Sequence, residues 1–297
     1  KVRWFMVCCC LACMLVVAGT VAVLAEDERP VENANRFWMA EPTNPELPTL
    51  FLVGDSTVKC GTKGQRGWGE EIGKYLDPAR VNLVNHAIGG RSSRTFITEG
   101  RWATTLSMMK PGDFVIIQFG HNDGGPINDD SRARGSIRGT GDETEEIDNL
   151  LTKKRELVRT YGAYLRQYTN DARAMGATPY LCTQVPRKTW DLDGTRIERP
   201  NNGYVIWARE VAATEAVALL DLHETVAAAY DTLGPDGVEP FFADARTHTT
   251  VDGADFTARI VVALLEGLPD SPWPGLISEA AEEISAIPPV QEAVSTR

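Results

Sequence analysis

Four short strings in this 297-residue chain carry residue types that could share one reaction: Gly54-Asp55-Ser56-Thr57, Asn85-His86-Ala87-Ile88-Gly89-Gly90-Arg91-Ser92, Gly120-His121-Asn122-Asp123 and Thr247-His248-Thr249. Acyl transfer needs a nucleophile, a base to take its proton, and donors aimed at the oxygen that becomes negative when the carbonyl turns tetrahedral. Ser56 Oγ is the candidate nucleophile and His248 the base. The backbone N–H groups of Ser56 and Gly90 and the side-chain amide of Asn122 are the candidate oxyanion donors. Glycine at 90 lets the backbone approach the reacting atoms, and asparagine at 122 donates without adding charge. Gly-Asp-Ser alone is also ordinary turn chemistry. It is the ordered set that points to catalysis.

The chain has four histidines. His86 ends a strand pattern and His223 follows one, positions where imidazole caps backbone or packs. His121, beside Asn122, is expected to line the pocket, which leaves His248, placed after the last strand and before a capped helix. Asp55 reads as a turn residue, and Asp123 as the group that orders the loop holding Asn122.

With these blocks in this order, the chain resembles the SGNH (GDSL-type) hydrolases. Within them it is most similar to the rhamnogalacturonan acetylesterases of carbohydrate esterase family 12. The carrying strings are "GDST", "NHAIGGRSSRTF", "EGRW", "FGHNDGG" and "THTTVDGA", over about 49–267. The resemblance implies a flavodoxin-like α/β three-layer sandwich whose five-stranded parallel sheet has the order 2-1-3-4-5. It also implies a serine esterase without metal or organic cofactor. One departure stands out: the family carries an Asp three residues before its catalytic His, and here that position is Ala245. Either Asp244 takes the role from one residue further away, or a backbone carbonyl fixes the imidazole and the site works as a Ser-His dyad.

The elements that must position these residues are read from periodicity. Strand patterns occupy 49–53, 81–85, 113–119, 178–183 and 217–221, and helical patterns 69–76, 102–109, 153–175, 204–216, 222–230 and 253–265. Strands alternating with helices predict a parallel sheet covered on both faces. The candidate residues then fall just beyond its carboxyl edge, where such sheets bind ligands. The polar stretch 124–151 does not fit the alternation and is either a loop bordering the site or a solvated insertion.

Lys1 and Arg3 precede an apolar stretch ending near Val23-Leu24-Ala25, which reads as a secretion signal over 1–25, with a retained membrane anchor or a Cys13 lipid site as alternatives. Residues 26–47 read as a linker or surface arm, 48–268 as the hydrolase domain and 269–297 as an appended tail. Beyond the signal only Cys60 and Cys182 remain, either paired or as buried free thiols. The formal charge of −11 becomes −13 without Lys1 and Arg3. That balance argues against nucleic acid as a partner.

On an acidic chain, cations gathered at one edge call for a reason. Arg91 and Arg94 flank the Gly90 block, and Arg187, Lys188 and Trp190 follow the fourth strand, so an anionic sugar is the expected ligand. The reading is a secreted or periplasmic monomeric esterase removing acetyl groups from rhamnogalacturonan. Its competitors are an esterase for acylated xylan, sialic acid or lipid, and a carbohydrate-binding protein that has lost activity.

Overall fold

A strand covered by helices on both sides is apolar on both faces. In the computed structural model, which describes residues 39–289, β1 (Thr49–Gly54) is buried along its whole length. Successive side chains of a strand point to opposite faces. Leu50 and Leu52 accordingly enter one layer of the core, and Phe51 and Val53 the other.

After β1 come β2 (Asn82–Asn85), α1 (Ser93–Thr98), α2 (Arg101–Leu106), β3 (Phe114–Gln118), and a hairpin of β4 (Thr144–Asp148) and β5 (Arg155–Arg159). Then follow α3 (Tyr161–Ala174), β6 (Thr178–Cys182), α4 (Tyr204–Thr214), β7 (Ala218–Leu220), α5 (Leu222–Val238) and α6 (Val251–Glu266). Five strands form one parallel sheet in the order β2-β1-β3-β6-β7. Counted within the sheet alone, this is the expected 2-1-3-4-5 order. Helices α5 and α6 cover one face and α1 to α4 the other. The chain reverses its direction of winding between β1 and β3, which opens a crevice at their carboxyl ends.

The structure corrects several expected elements. The pattern over 153–175 is not one helix: Arg155–Arg159 pairs antiparallel with Thr144–Asp148, and α3 starts only where Thr160 Oγ1 accepts the Ala163 N–H at 3.0 Å. A capping threonine thus sets the boundary. The stretch 69–76 closes as two 3₁₀ turns, Trp68–Glu70 and Ile72–Tyr75. The helix expected over 222–230 continues to Val238 across a break at Gly234, φ 67, just before Pro235.

The segment from 269, expected as an appended tail, packs on the domain and sends Trp273 and Ala281 into the core. Trp273 is fully buried and donates its Nε1–H to Tyr180 Oη at 3.2 Å. At the other end, residues 39–47 lie against the domain, with Ala40 O accepting from His86 Nε2 at 2.8 Å and Asn44 O from Asn82 Nδ2 at 2.7 Å. The expected secretion signal lies outside the described residues.

Candidate active site

The turn after β1 is built by its own residues. Asp55 is fully buried, and its Oδ1 accepts the Thr57 N–H at 2.9 Å and the Thr57 hydroxyl at 2.8 Å. The N–H groups of Val58 and Lys59 both reach Asp55 O at 3.1 Å. Gly54 is required here by close approach, since a Cβ would sit 2.6 Å from Val58 Cγ2 and 2.7 Å from Gln118 O. This tight turn presents Ser56 at the sheet edge. Its Oγ lies 2.9 Å from His248 Nε2.

The loop before α6 brings the imidazole there. Asp244 Oδ1 accepts the N–H groups of Arg246, Thr247 and His248 at 3.0, 2.7 and 3.0 Å, curling the segment around one oxygen. Its other oxygen, Oδ2, is 2.5 Å from His248 Nδ1. The three-donor curl takes up the extra residue, so a carboxylate four positions upstream reaches the ring although position 245 is alanine. Burial alone would push the Asp244 carboxyl up, but hydrogen bonds from Thr247 N–H, the His248 ring and neighbouring backbone hold it well below the usual carboxylate range. The loop is tied to the domain by Arg66, whose N–H donates to Thr249 O at 2.8 Å and whose O accepts the Thr249 hydroxyl at 2.7 Å.

Gly90 adopts φ 80, a left-handed conformation that glycine takes without strain. Asn122 Nδ2 donates one hydrogen to Arg91 O at 2.8 Å. This ties together the two segments that carry candidate oxyanion donors. Asp123 secures the same junction from beneath: its Oδ1 accepts the Ser93 N–H at 3.1 Å, the Ser93 hydroxyl and the Ser136 hydroxyl at 3.2 Å. Burial, with the Asp55 charge adding to it, pushes the Asp123 carboxyl up to about 7 against the Ser93 hydrogen bonds.

A cleft of about 540 Å³ opens at this edge and is lined by Ser56, Gly90, Asn122 and His248 together. His121 and Arg187 line it too. Burial lowers the His121 pKa against a weak interaction with the Val185 backbone, and neither ring nitrogen makes a close hydrogen bond among the described residues. Arg187 Nε is buried without a hydrogen-bond partner among the described residues, and burial followed by the nearby Arg246 charge lowers its pKa.

Other expected ligand residues are engaged elsewhere. Arg94 is fully buried, pairs with Glu156 at 2.7 Å and donates to Ile127 O and Gly135 O. It fastens the 124–151 insertion to α1, so its charge serves the fold. Trp190 does not line the cleft: it pairs with Ile197 in a short β-bridge and packs against the core. Arg91 Nε pairs with Glu99 at 3.0 Å and faces an adjoining cavity. Lys188 pairs with Glu239 at 2.7 Å.

The structure brings in cations that residue type alone did not single out. Arg132 and Arg134, from the 124–151 insertion, line the cleft beside Ser56. The insertion thus borders the site, the first of the two readings its sequence allowed. Cys60 and Cys182 are both buried free thiols. Asp255 bonds Lys74 and Tyr75 at 2.8 and 2.9 Å, away from His248.

A carboxylate, an imidazole and a serine hydroxyl in hydrogen-bonded series at the carboxyl edge of such a sheet define a hydrolase of the serine type. Residues 52–256 match the model of the GDSL-like lipase/acylhydrolase family, and the chain belongs to that family; it is a carboxylic ester hydrolase. It is 35% identical over 210 residues to the rhamnogalacturonan acetylesterase of Emericella nidulans, a match covering 71% of this chain and 81% of that one. To the rhamnogalacturonan acetylesterase RhgT of Bacillus subtilis it is 29% identical over 239 residues, 74% of this chain and 91% of that one. The crystal structure of protein YxiM from Bacillus subtilis superposes with a TM-score of 0.59 at 25% identity, covering 74% of this chain. The match spans 56%, just over half, of that protein.

Proposed function

We propose that the protein removes acetyl groups from an acidic cell-wall polysaccharide, rhamnogalacturonan, through an acetyl-enzyme on Ser56. The observation that carries this reading is the series Ser56 Oγ, His248 Nε2, His248 Nδ1, Asp244 Oδ2, with contacts of 2.9 and 2.5 Å. In the first half-reaction His248 Nε2 takes the Ser56 proton as Oγ bonds to the acetyl carbon. The carbonyl oxygen then carries the charge, met by the N–H groups of Ser56 and Gly90 and by Asn122 Nδ2. One hydrogen of that amide is held by Arg91 O. The other has no protein partner among the described residues and is free for the oxyanion.

Collapse of the tetrahedral adduct breaks the bond to the sugar oxygen, which leaves with the proton from His248. Water, losing a proton to His248 Nε2, then attacks the acetyl-enzyme, and as the bond to Ser56 Oγ breaks that proton passes to Oγ, freeing acetate and restoring the serine hydroxyl. Throughout, the Asp244 carboxylate holds Nδ1 protonated and stabilises the imidazolium. The substrate assignment is supported by the names of two relatives and by the cations Arg134 and Arg187 in the cleft of an acidic chain. Export of the chain by residues 1–25 fits a substrate outside the cell.

Acetate release from a panel of acetylated polysaccharides tests the assignment. Rhamnogalacturonan should be deacetylated with the highest kcat/KM. A preference for neutral acetylated xylan would overturn the substrate and leave the esterase chemistry standing.

A further inference from the structure

The arginines around the Gly90 segment fall into two groups. Arg91 and Arg101 both pair with Glu99, at 3.0 and 2.7 Å, and Arg94 pairs with Glu156. Arg132 and Arg134, which face them, have no carboxylate at ion-pair distance among the described residues. Among the described residues the side chain of Arg134 makes one hydrogen bond, from Nη1 to Gly90 O at 3.1 Å. These two cations are held in place by the backbone. Asp129 Oδ1 accepts the N–H groups of Ser131, Arg132 and Ala133 at 3.2, 2.7 and 2.5 Å, and Ala133 between the arginines is buried at φ 40. A non-glycine residue in that region is held there by its surroundings.

Arg132 and Arg134 stand on a wall shared by two cavities. One is the Ser56 cleft. The other, of about 290 Å³, is bounded by Arg91, Thr95 and Glu99, and shares Gly90, Arg132 and Arg134 with the first. Its volume is at the lower end of small-molecule sites, roughly 300 Å³, and suits a single sugar unit. Since Glu99 is occupied by its own arginines, the free charge on the shared wall is positive. Guanidinium matches a carboxylate geometrically, with paired N–H donors for its two oxygens.

We propose that this second cavity is a subsite for a uronate of the same polymer chain that presents its acetyl group to Ser56, with Arg132 on the shared wall as the carboxylate's ligand. The inference rests on the polysaccharide reading above. The chain crosses from one cavity to the other at Gly90, which carries no side chain. Recognition then extends beyond the reacting sugar, and an isolated acetylated sugar forgoes it.

The test is a cycle between protein and substrate. kcat/KM for acetate release is measured for the wild type and Arg132→Ala on acetylated rhamnogalacturonan with its uronates free, and again after their methyl esterification. Arg132 is exposed and lies outside the core, so the variant is expected to fold. On the free acid the variant should lose about fivefold, mostly through KM, as for one solvent-accessible charge pair. Methyl esterification should cost the wild type a similar factor and bring the two proteins together. Equal loss on both forms of the polymer, or no loss on the free acid, overturns the subsite while leaving the substrate reading intact. A wild type that releases no acetate from the free-acid polymer overturns both.

Discussion

At the amino edge of the sheet Asp113 Oδ1 accepts the Thr49 N–H at 2.8 Å and Oδ2 accepts the Lys110 N–H at 2.8 Å, while Asn82 bonds Asn44, Thr43 and Thr49. At the carboxyl edge, Asp55 Oδ2, both His121 nitrogens, Gln184 Oε1, Arg187 Nε, Tyr204 Oη and His223 Nδ1, and beside them Arg94 Nη2 on α1, are buried without a close hydrogen-bond partner among the described residues. Among the described residues Glu266 Oε2 is the exception near the amino edge. A buried polar atom without a partner costs about 1–3 kcal/mol. The amino edge is therefore organised for stability. The carboxyl edge gives up part of that stability to keep polar groups together where a substrate arrives.

The strongest way to break this comparison is Ser56→Ala. If the carboxyl edge serves chemistry, turnover of a small acetate ester should fall by about 10⁵-fold or more. Stability should stay within about 0.5 kcal/mol, because the lost hydroxyl holds no core contact. Near-normal turnover would remove Ser56 from the mechanism. Asp244→Asn comes next, with an expected loss in kcat of about 10³-fold as the imidazole loses its partner. An unchanged rate would mean that the site works as a dyad despite the 2.5 Å contact.

The opposite result is expected at the other edge. Asp113→Ala strands the N–H groups of Thr49 and Lys110 and should lower unfolding free energy by about 2 kcal/mol in denaturant titration. Its kcat on the small ester should match the wild type. A large fall in kcat without loss of stability would contradict the division between the edges.

The smallest expected effect is on pH. Asp123 has a folded pKa of about 7 against 3.8 unfolded, raised first by burial, so between those values the folded state holds the extra proton. Its contribution makes the protein more stable as pH falls from 8 through 7. His86 and His223 act the other way: burial depresses both from 6.5 to about 4, so below pH 6.5 the unfolded chain binds the extra protons and stability is lost towards pH 4. Tm followed from pH 8 to 5 should rise and then decline. In Asp123→Asn the initial rise should vanish, and its persistence would assign the effect to another group.

Much of this architecture was legible because its physics is local. Core strands buried on both faces read as continuous apolar runs, and the strings ending at Ser56, Asn122 and His248 placed their residues beyond strand ends without any contact being known. The β4–β5 hairpin was not legible. Thr144–Asp148 and Arg155–Arg159 are largely charged and mostly exposed, so no buried face marks their alternation, and their pairing is a relation between segments. The buried turn at Trp273 was hidden for the same reason, since its partner Tyr180 is 93 residues away.

The site divides along the same line. Sequence determined which residues could be nucleophile, base and oxyanion donors, because residue type limits what chemistry a side chain can do. Only the tertiary structure decided that Asp244 reaches His248, through three backbone N–H groups that no side-chain pattern records. It alone separated Arg94 from Arg132 and Arg134. An arginine's type fixes its charge, but whether that charge is spent depends on a carboxylate brought in by folding, and for Arg94 that carboxylate, Glu156, lies 62 residues along the chain.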